Sequence, residues 1–373
     1  MSRRALSDNR ARAAGPGDAA TVADGAPDAL FMQRAVDLAR PEQPHPNPRV
    51  GAVIVDSTGQ LIAEGAHVRA GEPHAEAIAL ARAGVRAAGS TVYVTLEPCS
   101  HYGRTPPCTS ALVAAGVRRV VVGSVDPDRR VRGSGVDELR SAGIDVATGV
   151  LADEVEAMDP GYFHHRRTGR PLVTLKLAIT LDGQLAAADG TSQWITGEAA
   201  RHDAHRLRAE SDVIIVGAGT VHADNPRLDV RLDGYRGRHP RPVVVAGTRP
   251  LPTGATVLTH DPLVYSPRPV AIAVEHVVQD RDGKVDIGAM IEDLGNRGYV
   301  TALVEGGAQL ADAMVRGGHV DRIVFYIAAK LGLGVGLPAF PGVFATVTDA
   351  LPLVVDSVRQ VGDDLRIETK VGR

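Results

Sequence analysis

The chain is short of cysteine, of aromatic side chains and of net charge, and each shortage removes a class of proteins. Two cysteines in 373 residues cannot build the disulfide framework of a small secreted domain. Aromatic residues make up only 3 %, which leaves few stacking platforms for single-stranded nucleic acid, and a formal net charge of −3 gives no electrostatic footprint for a polynucleotide. No apolar run approaches the roughly eighteen uncharged residues of a membrane helix. Lysine is confined to Lys176, Lys284, Lys330 and Lys370. What is plentiful is apolar content: 44 % hydrophobic residues over this length are ample for two cores.

The beginning of the chain, MSRRALSDNRARAAGPGDAATVADGAP, lacks the apolar core of a signal peptide. Asp8, Asp18, Asp24 and Asp28, with Pro16 and Gly17, also spoil the acid-poor amphipathic pattern of a transit peptide. Residues 1–28 read as a disordered tail, too poor in bulky apolar groups to offset the entropy of ordering. The expected location is cytoplasmic.

Beyond the tail the pattern alternates between helix and strand. ALFMQRAVDLA, HAEAIALARAG and TSALVAAGV carry helical periodicity, whereas RVGAVIVD, TVYVTLE and RRVVVGSVD read as extended. A layered α/β domain is predicted over 29–165. The charged stretch from His164 to Pro171, ending in a Gly-x-Pro turn signal, reads as a linker. A second α/β domain, 170–373, follows: LVTLKLAIT, DVIIVGAGT, RPVVVAGT, YVTALVEGG and RIVFYIAAK are apolar enough for a sheet buried on both faces.

Both cysteines fall in one motif. His74-Ala75-Glu76 is followed by Glu97-Pro98-Cys99 and then Cys108, which supplies one imidazole, two thiolates and a carboxylate that need not bind metal. Three protein ligands leave a fourth tetrahedral zinc position for water, and Glu76 can move protons beside it as general acid and base. Two plainer readings stand next to this one: a Cys99–Cys108 disulfide, and a closed structural zinc site with His101 as fourth ligand. Neither accounts for His-Ala-Glu. Asn47, between Pro46 and Pro48, can read a pyrimidine edge with its amide, or HPNP can be only a rigid turn. His67, His101 and Arg104 lie near the motif in sequence.

The eight residues SHYGRTPP between the cysteines exceed the Pro-Cys-x-x-Cys spacing of most nucleobase deaminases. With that insertion, HPNPRVGAVIV, PHAEAIAL and YVTLEPCSHYGRTPPC closely resemble the deaminase half of the bifunctional deaminase/reductases of riboflavin biosynthesis. The resemblance implies a cytidine-deaminase-like three-layer domain.

In the second half, Gly217-Ala218-Gly219 follows a strand, but the sixth position of a dinucleotide fingerprint is His222, so that signature is incomplete. Glu305-Gly306-Gly307, at a strand-to-helix junction, is the better phosphate cradle, with a simple tight turn as the alternative. VTLKLAITLDGQLA, SQWITG, VGAGTVHADNPRLDVR and LVEGG resemble the reductase half of the same family, so the resemblance runs from Ala29 to the end. It implies a dihydrofolate-reductase-like fold using NADPH, with cofactor contacts at Ala178, Trp194, Thr220, Asp224, Gly247 and Gly307. Substrate contacts would be Ser192, Arg208, Leu228, Arg231 and Glu305. Arginine suits phosphate oxygens, which makes Arg208 and Arg231 candidates for a sugar phosphate. Lys176 lies within an apolar strand, and a cation there needs an anionic or polar partner. Thr248 and Arg249 are candidates for the 2′-phosphate of NADPH. One departure from the family is AAKLGLGVGLPAF in place of a lysine-leucine-leucine-glycine-glycine pattern.

The expected activity is hydrolytic deamination of a 2,5-diamino-6-ribosylamino-4(3H)-pyrimidinone 5′-phosphate, then NADPH reduction of the ribosyl group to give 5-amino-6-ribitylaminouracil 5′-phosphate. Zn2+ and NADPH are the expected cofactors and a homo-oligomer through the reductase half the expected assembly. The alternative is a deaminase whose second half is a nucleotide-sensing module.

Overall fold

The computed structural model describes residues 25–102, 106–128, 131–247, 250–269, 275–278 and 280–372. The first domain is built on a five-stranded sheet. Its elements are α1 (Gly25–Ala39), β1 (Gly51–Val55), β2 (Leu61–Ala66), α2 (Ala75–Ala83), β3 (Thr91–Leu96), α3 (Cys108–Ala114), β4 (Arg119–Ser124), α4 (Ser134–Ser141), β5 (Asp145–Thr148), α5 (Ala152–Met158) and α6 (Pro160–Thr168). The strand order is β2-β1-β3-β4-β5, with β1 antiparallel to its neighbours and the β3-β4-β5 run parallel. GAVIV, TVYVTL and VVVGS are buried throughout, as strands covered on both faces must be. Helices α1 and α5 pack on each other over one face, and α2 and α3 on each other over the other.

Helix α1 starts at Gly25, inside the stretch read as tail. Asp28 is buried and accepts hydrogen bonds from Tyr93 Oη (2.9 Å) and both terminal nitrogens of Arg119 (3.0 and 2.9 Å). The order therefore begins at least four residues before the expected boundary, because the carboxylate has buried partners far along the chain. The rest of the expected tail, residues 1–24, lies outside the described residues.

The expected linker is also mostly structure. Helix α6 runs to Thr168, with Asp159 capping its start and Pro160 in its first turn, and Tyr162 and Phe163 belong to the core of the first domain. Its other side meets the second domain, where His165 Nε2 donates to the Gly295 carbonyl (2.9 Å). A Cβ on Gly295 would stand 2.0 Å from the Gly169 carbonyl oxygen, so only glycine admits this approach. What links the domains is the short turn after Thr168.

The second domain holds a nine-stranded sheet. Its elements are β6 (Leu172–Thr180), β7 (Gln184–Ala186), α7 (Glu198–Ala209), β8 (Val213–Gly217), α8 (Ala218–Asp224), β9 (Arg241–Val245), β10 (Leu263–Ser266), β11 (Glu275–Val278), the short pair β12 (Asp280–Arg281) and β13 (Lys284–Val285), α9 (Ile287–Asn296), β14 (Thr301–Val304), α10 (Ala308–Arg316), β15 (Arg322–Ala328), β16 (Leu337–Pro338), β17 (Leu353–Val361) and β18 (Asp364–Val371). The order is β11-β10-β9-β8-β14-β6-β15-β18-β17, with every pairing parallel except the two made by β18. Two apolar clusters fill its two faces. The expectation of a sheet covered on both sides fails at one edge: β17 leaves Val354, Val355 and Val358 each more than half exposed.

Candidate active sites

In the first domain, three turns of chain bring the motif together. His74 caps α2, Cys99 follows the end of β3, and Cys108 opens α3. His74 Nδ1 lies 3.5 Å from Cys99 Sγ and 3.3 Å from Cys108 Sγ, close to the edges of a tetrahedron around zinc with bonds of about 2.0–2.3 Å. Among the described residues this is the one cluster with converging ligand atoms. Both cysteines are free thiols rather than a disulfide, and His101 is not part of the cluster, so the set has the open composition of three ligands. Electrostatics favour a cation. Cys99 is drawn down by the hydrogen bond from Cys108 and by His74, while that same bond and burial push Cys108 up. Glu76 is buried, and burial pushes its carboxyl up to about 6.

These groups open into a cavity of about 720 Å3 whose lining includes Asn47, His67, His101, Asp126, Tyr162 and Arg166. His67 Nδ1 faces the Pro73 carbonyl (3.0 Å), which can only accept, so Nδ1 carries the proton and Nε2 accepts from Asn47 Nδ2 at 3.0 Å. Burial lowers the His67 pKa, in keeping with that neutral form. The contact fixes the Asn47 amide with its oxygen free for a ligand. Arg104 lies outside the described residues. Sequence reasoning missed Tyr162, whose hydroxyl donates to Asp126 Oδ2 (2.9 Å), and Arg166, stacked 5.0 Å above the Tyr162 ring. Both come from α6, and nothing local in HHRR marks them as cavity residues.

In the second domain the period-two alternation of β6 sorts its side chains. Val173, Leu175, Leu177 and Ile179 enter the core, while Thr174, Lys176, Ala178 and Thr180 share the opposite face. Lys176 Nζ is 4.0 Å from Glu305 Oε2, at the end of β14. Burial pushes the Lys176 ammonium down and Glu305 opposes it, yet 21 % of the side chain is exposed, enough for a ligand to reach. Arg208, on α7, grips Glu305 with two nitrogens (2.6 and 2.8 Å) and gives a third to the Asp229 carbonyl (3.0 Å). Burial alone would raise Glu305; Arg208 and then Lys176 overcome it and hold the carboxyl down to about 2.

Arg208 spends three of its five N–H donors on these partners. Arg231 is the exposed one, paired with Asp229 at 2.5 Å. His205, missed from the sequence, joins the cluster by accepting from the Arg231 backbone N–H, and burial, Arg208 and Arg231 lower its pKa to about 4.

Further along the same face, Thr180, Ser192, Trp194 and Lys330 line a cavity of about 340 Å3. Lys330 Nζ donates to the carbonyls of Trp194 (3.1 Å) and Ile195 (2.7 Å), and Arg201 stacks 4.4 Å from the Trp194 ring. Gly332, Gly334 and Gly336, from the segment that departs from the family pattern, form part of the wall. Gly306 and Gly307 take φ of +123° and +77° ahead of α10, and a Cβ on Gly306 would stand 3.0 Å from Thr220 Oγ1. The cradle and Thr220 are thus neighbours, as both were expected to meet one cofactor. Asp224 ends α8 and Gly247 follows β9, both exposed; Thr248 and Arg249 lie outside the described residues. Leu228, at φ +59°, is 3 % exposed and packs in the core.

Residues 26–124 match the family model described as "Cytidine and deoxycytidylate deaminase zinc-binding region", and residues 171–366 match "RibD C-terminal domain". The chain is 40 % identical over 361 residues to the riboflavin biosynthesis protein RibD of Escherichia coli (strain K12), covering 91 % of this chain and 98 % of that protein. It is 44 % identical over 324 residues to RibD of Mycobacterium tuberculosis, covering 86 % and 90 %. Among solved structures, Acinetobacter baumannii RibD (form 1) superposes with a TM-score of 0.88 at 38 % identity, covering 93 % of this chain and 99 % of that one. A Thermotoga maritima diaminohydroxyphosphoribosylaminopyrimidine deaminase/5-amino-6-(5-phosphoribosylamino)uracil reductase gives a TM-score of 0.84 at 34 % identity, with the same coverage.

Proposed function

Because the chain belongs to the RibD family of riboflavin-biosynthesis deaminase/reductases, we propose that its two cavities act in turn on one pyrimidine ribotide. The first removes an amino group from 2,5-diamino-6-ribosylamino-4(3H)-pyrimidinone 5′-phosphate; the second reduces the ribosyl group to ribityl. The observation that carries the first assignment is the convergence of His74, Cys99 and Cys108 beside buried Glu76.

Held by those three residues, zinc would supply Lewis acidity and lower the pKa of the attacking water. Glu76 is placed to move a proton from water to the departing amine, a task suited to a carboxyl raised toward neutrality by burial. Asn47 orients the pyrimidine edge through the amide oxygen that His67 leaves free.

In the second domain NADPH would supply the hydride. Thr220 and the Gly306–Gly307 turn suit its phosphates, with Ala178, Trp194, Asp224 and Gly247 as further contacts. Lys176, its ammonium reachable and next to Glu305, binds the substrate, with Ser192 on the cavity wall and Leu228 as a further contact; Arg208 holds Glu305 in place and keeps N–H groups for the sugar phosphate, beside the exposed Arg231. The exposed valines of β17, at the open edge of the sheet, support a homo-oligomer through this domain. Two free thiols support a reducing, cytoplasmic setting.

The test is an assay of purified protein on the diaminopyrimidinone substrate with and without NADPH. Ammonia release with NADPH oxidation is the expected result. Ammonia release alone would make the second domain the sensing module.

A further inference from the structure

His45 lies outside both cavities, in the segment between α1 and β1, with a side chain 9 % exposed. Its Nε2 is 3.1 Å from Asp159 Oδ1, at the head of α6, and its Nδ1 is 3.6 Å from Asp212 Oδ1, at the start of β8 in the other domain. The first contact is a hydrogen bond and the second an ion pair, with Arg238 on the same Asp212 oxygen, so only the imidazolium is attracted to both carboxylates. Both acids are tied down. Asp159 Oδ2 accepts from the Arg49 backbone (2.9 Å), and Asp212 Oδ2 accepts from Val300 (2.8 Å) and Thr301 (3.0 Å). Pro46-Asn47-Pro48 is therefore pinned to Asp159 at both ends, by the His45 side chain and the Arg49 N–H. Its two prolines leave little backbone freedom between the pins, and between them Asn47 faces the deaminase cavity.

We propose that His45 is a positioning residue for deamination: as a charged strut between the two domains it sets Asn47 in place, and makes that placement depend on the docked reductase domain. The inference rests on the deaminase reading given above. It needs no contact between His45 and substrate.

The surroundings agree. Burial alone would lower the imidazole pKa, but Asp159 and Asp212 raise it to about 9. The other ionisable groups at this junction are Arg49, Glu210 and Arg238, which line the same small cavity, and His165. Glu210 is pushed up by burial, and His165, lowered by burial, donates to Gly295 as a neutral ring. With a folded value above the ordinary 6.5, the strut is complete below that pH and is lost as pH rises through about 9.

The experiment compares the zinc-loaded full chain with His45→Gln and His45→Lys. Loss of one well-placed amide contact predicts a deaminase KM about tenfold higher in His45→Gln at pH 7.5, with kcat, zinc content and NADPH oxidation within about twofold of the parent. His45→Lys, which keeps a cation, restores KM. The parental KM climbs between pH 8 and 10, whereas that of His45→Gln stays flat. Hydrogen exchange of the backbone over residues 45–50 is faster in His45→Gln and restored in His45→Lys, a readout independent of turnover. Parental KM and exchange in His45→Gln, or no rescue by lysine, overturns the proposal. Should His45→Gln not fold, the parental pH profile and the lysine variant still decide it. A chain that releases no ammonia from the pyrimidine ribotide would instead sink the deaminase reading, while the exchange data still judge the strut.

Discussion

Replacing Glu305 with glutamine removes one charge and almost no volume from the second domain, and its cost can be worked in two ways. The parental carboxyl titrates at about 2 rather than the ordinary 4.5, and at about 1.4 kcal/mol per unit this is about 3 kcal/mol of stabilisation of the charged form. Breaking a buried ion pair from one side costs about 3–5 kcal/mol, because the partner stays buried and uncompensated. Here Arg208 would keep two nitrogens aimed at a neutral amide, and Lys176 would lose its counter-charge. The two routes converge near 3 kcal/mol. Urea unfolding of the full chain should report it through Trp194, the only tryptophan, which lies in this domain, with zinc release followed separately for the first domain. The difference between parent and variant should also depend on pH. A depressed folded pKa means the stabilisation is complete above about 4.5 and fades as pH falls towards 2, so the gap should be constant from pH 7 to 5 and shrink below it. A variant within about 1 kcal/mol of the parent at pH 7, or a gap indifferent to acid, would refute the cluster as a source of stability.

Three further outcomes are expected. Cys99→Ser or Cys108→Ser should lose zinc and ammonia release together while NADPH oxidation persists, since no spare cysteine exists to replace either ligand; metal analysis beside the two assays checks it. Glu76→Gln should keep stoichiometric zinc and lose at least about a hundredfold in deamination, so near-normal turnover would reassign the proton carrier. Lys176→Ala should abolish NADPH oxidation on deaminated substrate and leave ammonia release near normal, with circular dichroism to confirm folding; parental reduction by a folded variant would make this lysine structural.

Much of the first site was legible because its chemistry is written locally. His74, Glu76, Cys99 and Cys108 are marked by residue type and spacing, and strand-end and helix-start signals place His74 at the start of α2, Cys99 past β3 and Cys108 at the start of α3, as found. Alternating periodicity made both halves readable as layered α/β, and the family resemblance implied their cytidine-deaminase-like and dihydrofolate-reductase-like folds. What escaped was set by contacts distant in sequence. The pairing of Arg208 with Glu305, 97 residues on, has no signal near either residue. Asp28 looked like tail because its partners are Tyr93 and Arg119. Arg166 was read as part of a linker, since a charge run does not disclose which of its members turns inward, and Tyr162 just before it carried no signal of its own.

Helix α6 makes the seam between the two catalysts uneven. Its aromatic side belongs to the deaminase core, while its His165 and the turn after it fit the Gly169–Gly295 crevice of the reductase. A gene split at residue 170 would hand the whole helix to the deaminase, which would then carry a bare histidine and an orphaned crevice-filling turn on its surface. The reductase fragment would be left with an empty notch at Gly295 and with Asp212 short of its histidine. Separating this enzyme into two proteins is therefore not a matter of cutting a tether: both fragments would need new surface residues at matched positions, and a lineage that carries the fused form has a reason in packing, apart from any advantage in catalysis, to keep it fused.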